Sequence, residues 1–149
     1  MQPAGHIEQL WLKRWRRGPM DGVARAEAVA GRGLAGNTDQ GGRRQVTIIA
    51  RGRWDRVNEA LADHVDPALR RANVLVAGID LEATRGRVLR IGRCRLRILG
   101  ETLPCERMDE AYPGLRAALE PAWGGGAYAE ILDGGVIAVG DPVAWEPDT

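Results

Sequence analysis

The chain has 149 residues, a length typical of one domain, which excludes a second large catalytic domain. Hydrophobic residues make up 44% and charged residues 28%, as in folded globular proteins and unlike disordered chains. With 21 Lys+Arg against 20 Asp+Glu the net charge is +1, so no overall field attracts the chain to nucleic acid or anionic lipid. The two cysteines are too few for an iron–sulfur cluster or an all-cysteine zinc site, which need about four thiolates.

The apolar stretches of the sequence are short. The longest, at residues 46–50 and 74–79, fall far below the ~20 residues that span a bilayer. The N-terminus has no basic start followed by an apolar run, so no signal peptide is predicted. We therefore expect a cytoplasmic protein without a membrane segment.

Gly and Pro divide the first half of the chain into short elements. Alternation and β-branched runs predict strands at residues 6–13, 23–30, 44–50 and 73–77. Apolar residues at three- and four-residue spacing predict a helix over 53–64, which places His64 at its C-terminus, and 67–72 forms a helical turn. Residues 31–42 are too rich in glycine to be regular.

The second half of the chain continues the strand pattern. Strands are predicted at residues 87–91, 93–99, 127–132, 136–139 and 143–145. Gly92 and residues 133–135 indicate hairpin turns, 101–108 a loop, and 114–120 a short helix. The pattern favours one domain over residues 1–149, mainly β (α+β), folded as a partly closed mixed β-barrel with two or three short helices.

The two cysteines lie in different contexts. Cys94 alternates with apolar residues on one face of a predicted strand, which predicts a buried thiol. Cys105 lies in a predicted loop two residues before Arg107, which favours an exposed, ionised thiol, although Glu106 opposes the effect. From these local features alone, a functional role for Cys105 stays open.

Arginine supplies almost all the positive charge, because Lys13 is the only lysine. This usage is typical of a GC-rich coding bias, but a guanidinium fork also suits phosphate. The alternating Arg93, Arg95 and Arg97 form either a solvated sheet face or one wall of an anion-binding groove. Residues 70–73, which begin with two arginines, are a second candidate for holding a phosphate.

Other catalytic motifs are missing from the sequence. The chain has no serine and therefore no Gly-x-Ser-x-Gly elbow, and its glycine-rich loop lacks the lysine of a P-loop. His6 and His64 are far apart and in no metal-binding spacing.

A series of short motifs, in a consistent order, resembles the MOSC domain, the C-terminal module of molybdenum cofactor sulfurases. The resemblance runs from about residue 5 to residue 145. Its main segments are Gly31-x-Gly-Leu-x-Gly-Asn37, Gly42-Arg-Arg-Gln-Val-Thr-Ile48, Arg71-x-Asn-Val-x-Val-x-Gly-Ile-Asp-Leu81, Pro104-Cys105-x-x-Met108 and Gly134-Gly-x-Ile-x-Val-Gly-Asp141.

The resemblance implies a MOSC-type barrel and a cofactor. Family members with known chemistry bind the molybdenum cofactor, a pterin that carries a phosphate and a metal-chelating dithiolene. Cys105 matches their loop cysteine, which is the protein ligand to molybdenum or, in sulfur-transfer members, carries a persulfide. Arg71, Asn73 and Thr102 match pterin and phosphate contacts, and Arg44 matches the arginine that opens the strand after the glycine loop. Glycines 31, 33 and 36 would let the backbone lie close to the planar ligand.

The chain departs from the family in two respects. Asn37 stands where many members have an acid, which puts the role of that acid in doubt. The N-terminal β-barrel extension and the fused redox modules of larger members are missing, so electrons would come from a partner protein.

Three functions follow. The first is the reductase component for small N-hydroxylated or N-oxide substrates. The second is a sulfur carrier, or a cofactor-handling protein, that receives sulfur from a donor protein. The third, nucleic-acid binding through Arg93, Arg95 and Arg97, is disfavoured by the net charge of +1. We therefore expect no nucleic-acid partner.

Overall fold

Eleven strands and three α-helices make up the fold in the computed structural model, which describes residues 5–147. The strands are β1 (Gly5–Lys13), β2 (Met20–Val23), β3 (Arg25–Val29), β4 (Gly33–Leu34), β5 (Val46–Ala50), β6 (Val74–Ala77), β7 (Val88–Ile91), β8 (Cys94–Glu101), β9 (Ala127–Asp133), β10 (Gly135–Ala138) and β11 (Pro142–Trp145). The helices are α1 (Arg51–Leu61), α2 (Glu106–Ala111) and α3 (Leu115–Leu119), with 3₁₀ turns at Pro67–Arg70 and Pro121–Trp123.

Seven of these strands close into a barrel. Its order is β11-β7-β8-β9-β5-β6-β1, and pairing of β1 with β11 completes the ring, while β2 extends the sheet beyond β1. The β5–β6 pair is parallel and the other barrel pairs are antiparallel, so the barrel is mixed. A small second sheet has the order β10-β3-β4. The predicted fold class, a mainly β mixed barrel with short helices, is confirmed.

Alternation along the strands creates two apolar cores. On β5, Ile48 packs inside the barrel while Ile49 packs outside it, and on β6 Val74 and Leu75 divide in the same way. The outer core is completed by residues of the helices, such as Trp54 of α1. Each buried side chain of this size stabilises the fold by ~1.5–3 kcal/mol. The helices are thereby held against the outer face of β5 and β6.

One predicted strand begins later than expected, at Arg25, and one predicted hairpin turn is wrong. Residues 23–30 do not form one strand, because the chain leaves β2, paired with β1, and enters β3, paired with β10 and β4. Residues 133–135 do not form a hairpin, because β9 pairs with β5 and β8 whereas β10 pairs with β3. Alternation of side chains along the sequence predicts a strand but does not predict which other strand it pairs with.

One helix prediction and one loop prediction also need correction. Helix α1 ends at Leu61 because Ala62 adopts a left-handed conformation (φ 53°), so His64 lies beyond the helix. The predicted loop at 101–108 contains the start of α2, whose first turn is closed by a 2.9 Å hydrogen bond from Met108 N–H to the carbonyl of Cys105. Among the residues described, no helix is long and apolar enough to cross a membrane.

Candidate functional site

One cleft of about 580 Å³ brings together the site residues predicted from the sequence. It lies where β6 begins, where β8 ends and just before β9, and its volume is within the range of small-molecule sites. Its walls include all five predicted residues, Arg44, Arg71, Asn73, Thr102 and Cys105.

The two thiols occupy opposite environments, as predicted. Cys105 lies in extended backbone (φ −128°, ψ 178°) immediately before α2, and its side chain is exposed at the cleft. Cys94 is fully buried in the barrel, where its Sγ lies 3.4 Å from the carbonyl oxygen of Gly135. Burial raises the pKa of the Cys94 thiol, which keeps it protonated. Cys105 is therefore the thiol that solvent and ligands can reach.

Thr102 lines the cleft and has a buried hydroxyl without a hydrogen-bond partner in the described structure. The residue is 7% exposed, and its N–H donates to the carbonyl of Gly126 at 2.9 Å. Its Oγ1 has no hydrogen-bond partner within residues 5–147. A buried polar atom without a partner costs about 1–3 kcal/mol, so a ligand that bonded to it would recover that energy.

The side chain of Asn73 is already engaged in holding the cleft wall together. Its Nδ2 donates to the carbonyl of Trp11 (3.1 Å) and to Asn37 Oδ1 (3.2 Å). Its Oδ1 accepts from the main-chain N–H (3.1 Å) and the hydroxyl (3.2 Å) of Thr47. These bonds join β1, β5, the start of β6 and the glycine-rich loop, so Asn73 shapes the wall.

Arg44 and Arg71 reach the cleft from its exposed rim. The Arg44 guanidinium lies over the ring of Tyr128, 5.0 Å from its centroid. Arg71 adopts a left-handed conformation (φ 65°), and its Nη2 donates to the carbonyl of Gly18. Both guanidiniums are thus oriented by the protein while remaining open to solvent.

Arg70 was predicted only as part of the phosphate candidate at residues 70–73, not as an individual site residue. It is 8% exposed, and it donates from Nε to the carbonyl of Gly125 (2.8 Å) and from Nη2 to the carbonyl of Thr102 (3.3 Å). Burial lowers its pKa to about 10, an effect that the nearby charge of Cys105 opposes. The adjacent pair Arg70 and Arg71 was a visible signal, but only the left-handed turn at Arg71 decides which of the two is buried.

The cleft is strongly basic. Lys13 pairs with Asp39 at 3.2 Å, and Asp39 is the only carboxylate among the described lining residues. Across residues 5–147, no carboxylate pairs with the four arginines of the lining, which are Arg44, Arg70, Arg71 and Arg107. The arrangement favours an anionic ligand.

The glycines expected to approach a planar ligand do something else. Gly31, Gly33 and Gly36 do not line the cleft, and all three have positive φ, Gly31 and Gly36 in turns and Gly33 at the start of β4. A Cβ on Gly33 would lie 2.9 Å from the carbonyl oxygen of Gln45, so this glycine serves chain packing. The glycine that the cleft wall requires is Gly125, where a Cβ would lie 2.4 Å from the carbonyl oxygen of Thr102.

The arginine row on β8 is a solvated, charge-balanced face. Arg95 bonds to Asp133 (3.0 Å) and to Glu146 (2.6 Å), and Arg97 lies 3.6 Å from Glu130. Arg95 holds the pKa of Glu146 at about 2, so that carboxylate stays charged. Because carboxylates lie beside both Arg95 and Arg97, these two arginines do not form the wall of an anion-binding groove.

No group of three or more His, Cys, Asp or Glu side chains suited to a metal ion occurs in the described part of the chain.

Comparison with known proteins gives the family. The model of the MOSC domain matches residues 35–144. Comparison with curated protein sequences gives no match.

Three solved structures share the fold. YuaD from Bacillus subtilis is 19% identical, with a TM-score of 0.79 and 93% of each chain covered. YiiM from Geobacillus stearothermophilus is 15% identical (TM-score 0.73; 98% of this chain and 75% of that chain). YiiM from Escherichia coli is 13% identical (TM-score 0.72; 97% and 71%). Because the family model spans most of a chain that also has this barrel, the protein belongs to the MOSC domain family.

Proposed function

We propose that the cleft binds the molybdenum cofactor, with Cys105 as the protein ligand to molybdenum. The observation that carries the proposal is an exposed thiol opening into a cleft lined by four arginines that lack carboxylate partners in the described structure. A thiolate is a soft ligand suited to a soft metal centre, and guanidinium forks suit a phosphate.

The residues present fit such a group. The volume of about 580 Å³ is in the range of cofactor sites. The unpartnered Oγ1 of Thr102 offers a buried hydrogen bond, and the rim arginines offer charge. A cluster of several protein ligands is not needed, because a dithiolene brings its own two sulfur ligands and needs one thiolate from Cys105.

In this proposal each residue has a simple task. When bound, the cofactor supplies two-electron reduction of a small N-hydroxylated or N-oxide substrate, with electrons from a partner protein. Cys105 holds the metal end, and Arg44, Arg71 and Arg107 neutralise the anionic end. Buried Arg70 fixes the two main-chain segments beside Cys105, and the open rim admits the substrate. We propose that one domain over residues 1–149, in the cytoplasm, performs this role.

Metal analysis tests the proposal. Protein purified from a host that makes the cofactor should hold close to one molybdenum per chain, and Cys105→Ala should abolish it. The matched control is Cys94→Ala, which should lower stability by ~1–2 kcal/mol through a small cavity and leave molybdenum unchanged. Wild type without molybdenum, or Cys105→Ala that retains it, would contradict the proposal.

The second candidate is a sulfur carrier with a persulfide on Cys105. The exposure of this thiol favours it, because a donor protein can reach the sulfur directly. Cyanide removes the outer sulfur of a persulfide as thiocyanate and leaves the thiolate. Metal-free protein with one cyanide-labile sulfur per chain, lost in Cys105→Ala and kept in Cys94→Ala, would select this function over the first.

A further inference from the structure

The only lysine of the chain lies in the cleft. Apart from two histidines, every other basic residue is an arginine, yet Lys13 lines the same cavity as Cys105 and Thr102. An ammonium differs from a guanidinium in two respects: it is a compact point charge, and it can give up a proton. Lys13 therefore gives the cleft a compact charge and an exchangeable proton that the arginines cannot supply.

Lys13 is held firmly at the end of β1. Its main-chain N–H donates to Asn37 Oδ1 (2.8 Å), and its carbonyl accepts from the N–H of Thr38 (2.7 Å). Its side chain is 22% exposed, with Nζ 3.2 Å from Oδ2 of Asp39, which is 59% exposed. Asn37, the residue that replaces the acid of many MOSC domains, thus serves as a clamp on Lys13.

Few other groups of the cleft can donate a proton at neutral pH. The arginines stay charged, including Arg70 with its pKa lowered to about 10. The two histidines of the chain, both in the described region, do not line the cleft. Cys105 is the metal ligand in the proposed function. The ammonium of Lys13 remains, with an exposed carboxylate beside it that connects it to solvent.

We infer that Lys13 is the proton donor of the cleft. The inference rests on the proposed function, in its reductase form. Cleavage of the N–O bond of an N-hydroxylated amidine consumes two electrons and two protons and releases the amidine and one water. Lys13 gives one proton to the departing oxygen and becomes a neutral amine. Asp39 orients the amine, which then regains its proton from solvent, and the second proton also comes from solvent.

Substitution separates proton donation from charge. With acetamidoxime as substrate and reduced methyl viologen as the electron source, two equivalents per turnover, molybdenum-loaded Lys13→Arg should keep its metal and its KM. Its kcat should fall ~100-fold or more, as for loss of a general acid. Lys13→Met should lose as much kcat. Wild-type kcat in Lys13→Arg would overturn the inference and assign Lys13 to charge alone.

A second measurement does not depend on turnover or on any variant. In protein labelled with lysine that carries ¹³C at Cε only, Lys13 gives a single side-chain signal, because no other lysine is present. Acetamidoxime added to loaded wild type should shift this signal, and an unchanged signal at saturating substrate would overturn the contact. Two outcomes would contradict the proposed function itself: wild type without molybdenum, and wild type that holds molybdenum but does not reduce acetamidoxime. If wild type is active and Lys13→Arg has the same kcat, only the role of Lys13 is refuted.

Discussion

Replacing Arg70 by methionine tests whether the buried guanidinium holds the cleft together. Methionine keeps the apolar stem but removes the donors to the carbonyls of Gly125 and Thr102, at 2.8 and 3.3 Å. Both carbonyls belong to buried residues, so each is left without its partner. Hydrogen bonds from a charged group contribute about 1.5–3 kcal/mol each, so the loss of both predicts a fall of about 3–6 kcal/mol in the free energy of unfolding.

Urea unfolding measures this loss. With a slope of ~2 kcal/mol per M, the urea midpoint of Arg70→Met should fall by roughly 1.5–3 M with little change in slope. The matched control is Arg71→Met, which removes one hydrogen bond from an exposed side chain to Gly18 and should cost about 1 kcal/mol. Equal midpoints for the two variants would refute the conclusion that the buried arginine, rather than its neighbour, ties the cleft together.

Two further predictions concern packing and pH. Gly126→Ala should destabilise the fold by ~2 kcal/mol or more, because a Cβ at φ 95° would lie 2.1 Å from the carbonyl oxygen of Ile48. In Gly52→Ala, the new Cβ in α1 would meet no atom within 4 Å, so this variant should stabilise the fold by about 0.5–1 kcal/mol. Equal changes in the thermal unfolding temperature of the two variants would contradict this reasoning. Because Arg95 lowers the pKa of Glu146 from 4.5 to about 2, the ion pair stabilises the fold fully above pH 4.5 and loses its effect as the pH falls towards 2. Wild type should therefore unfold at a higher temperature than Glu146→Gln at pH 6. At pH 2 the two should unfold at nearly the same temperature. A difference in unfolding temperature that does not change with pH would show that this carboxylate is not stabilised by its partner.

Local pattern was enough for several features. Alternation on β8 predicted that Cys94 is buried, because successive side chains of a strand point to opposite faces. The β-branched run at Val46–Ala50 predicted β5, because β-branched side chains pack well on a pleated sheet. The order of the glycine, Asn73 and Pro-Cys105 motifs indicated the MOSC family, and all five site residues predicted from that resemblance line the cleft.

Other features depend on contacts between distant parts of the chain. Residues 133–135 have the composition of a hairpin turn, yet β10 pairs with β3, about a hundred positions earlier. Arg70 bonds to Gly125, 55 residues away, and Lys13 is clamped by Asn37, 24 residues away. The sequence by itself determined which residues are strand-forming, apolar or reactive, since these are properties of each side chain and its near neighbours. Only the tertiary structure decided that Arg70 is buried beside Cys105 and that Lys13 faces the same cleft. Hydrogen bonds and closure of the barrel bring together segments that are far apart in the chain, and local periodicity does not show which distant segments will meet.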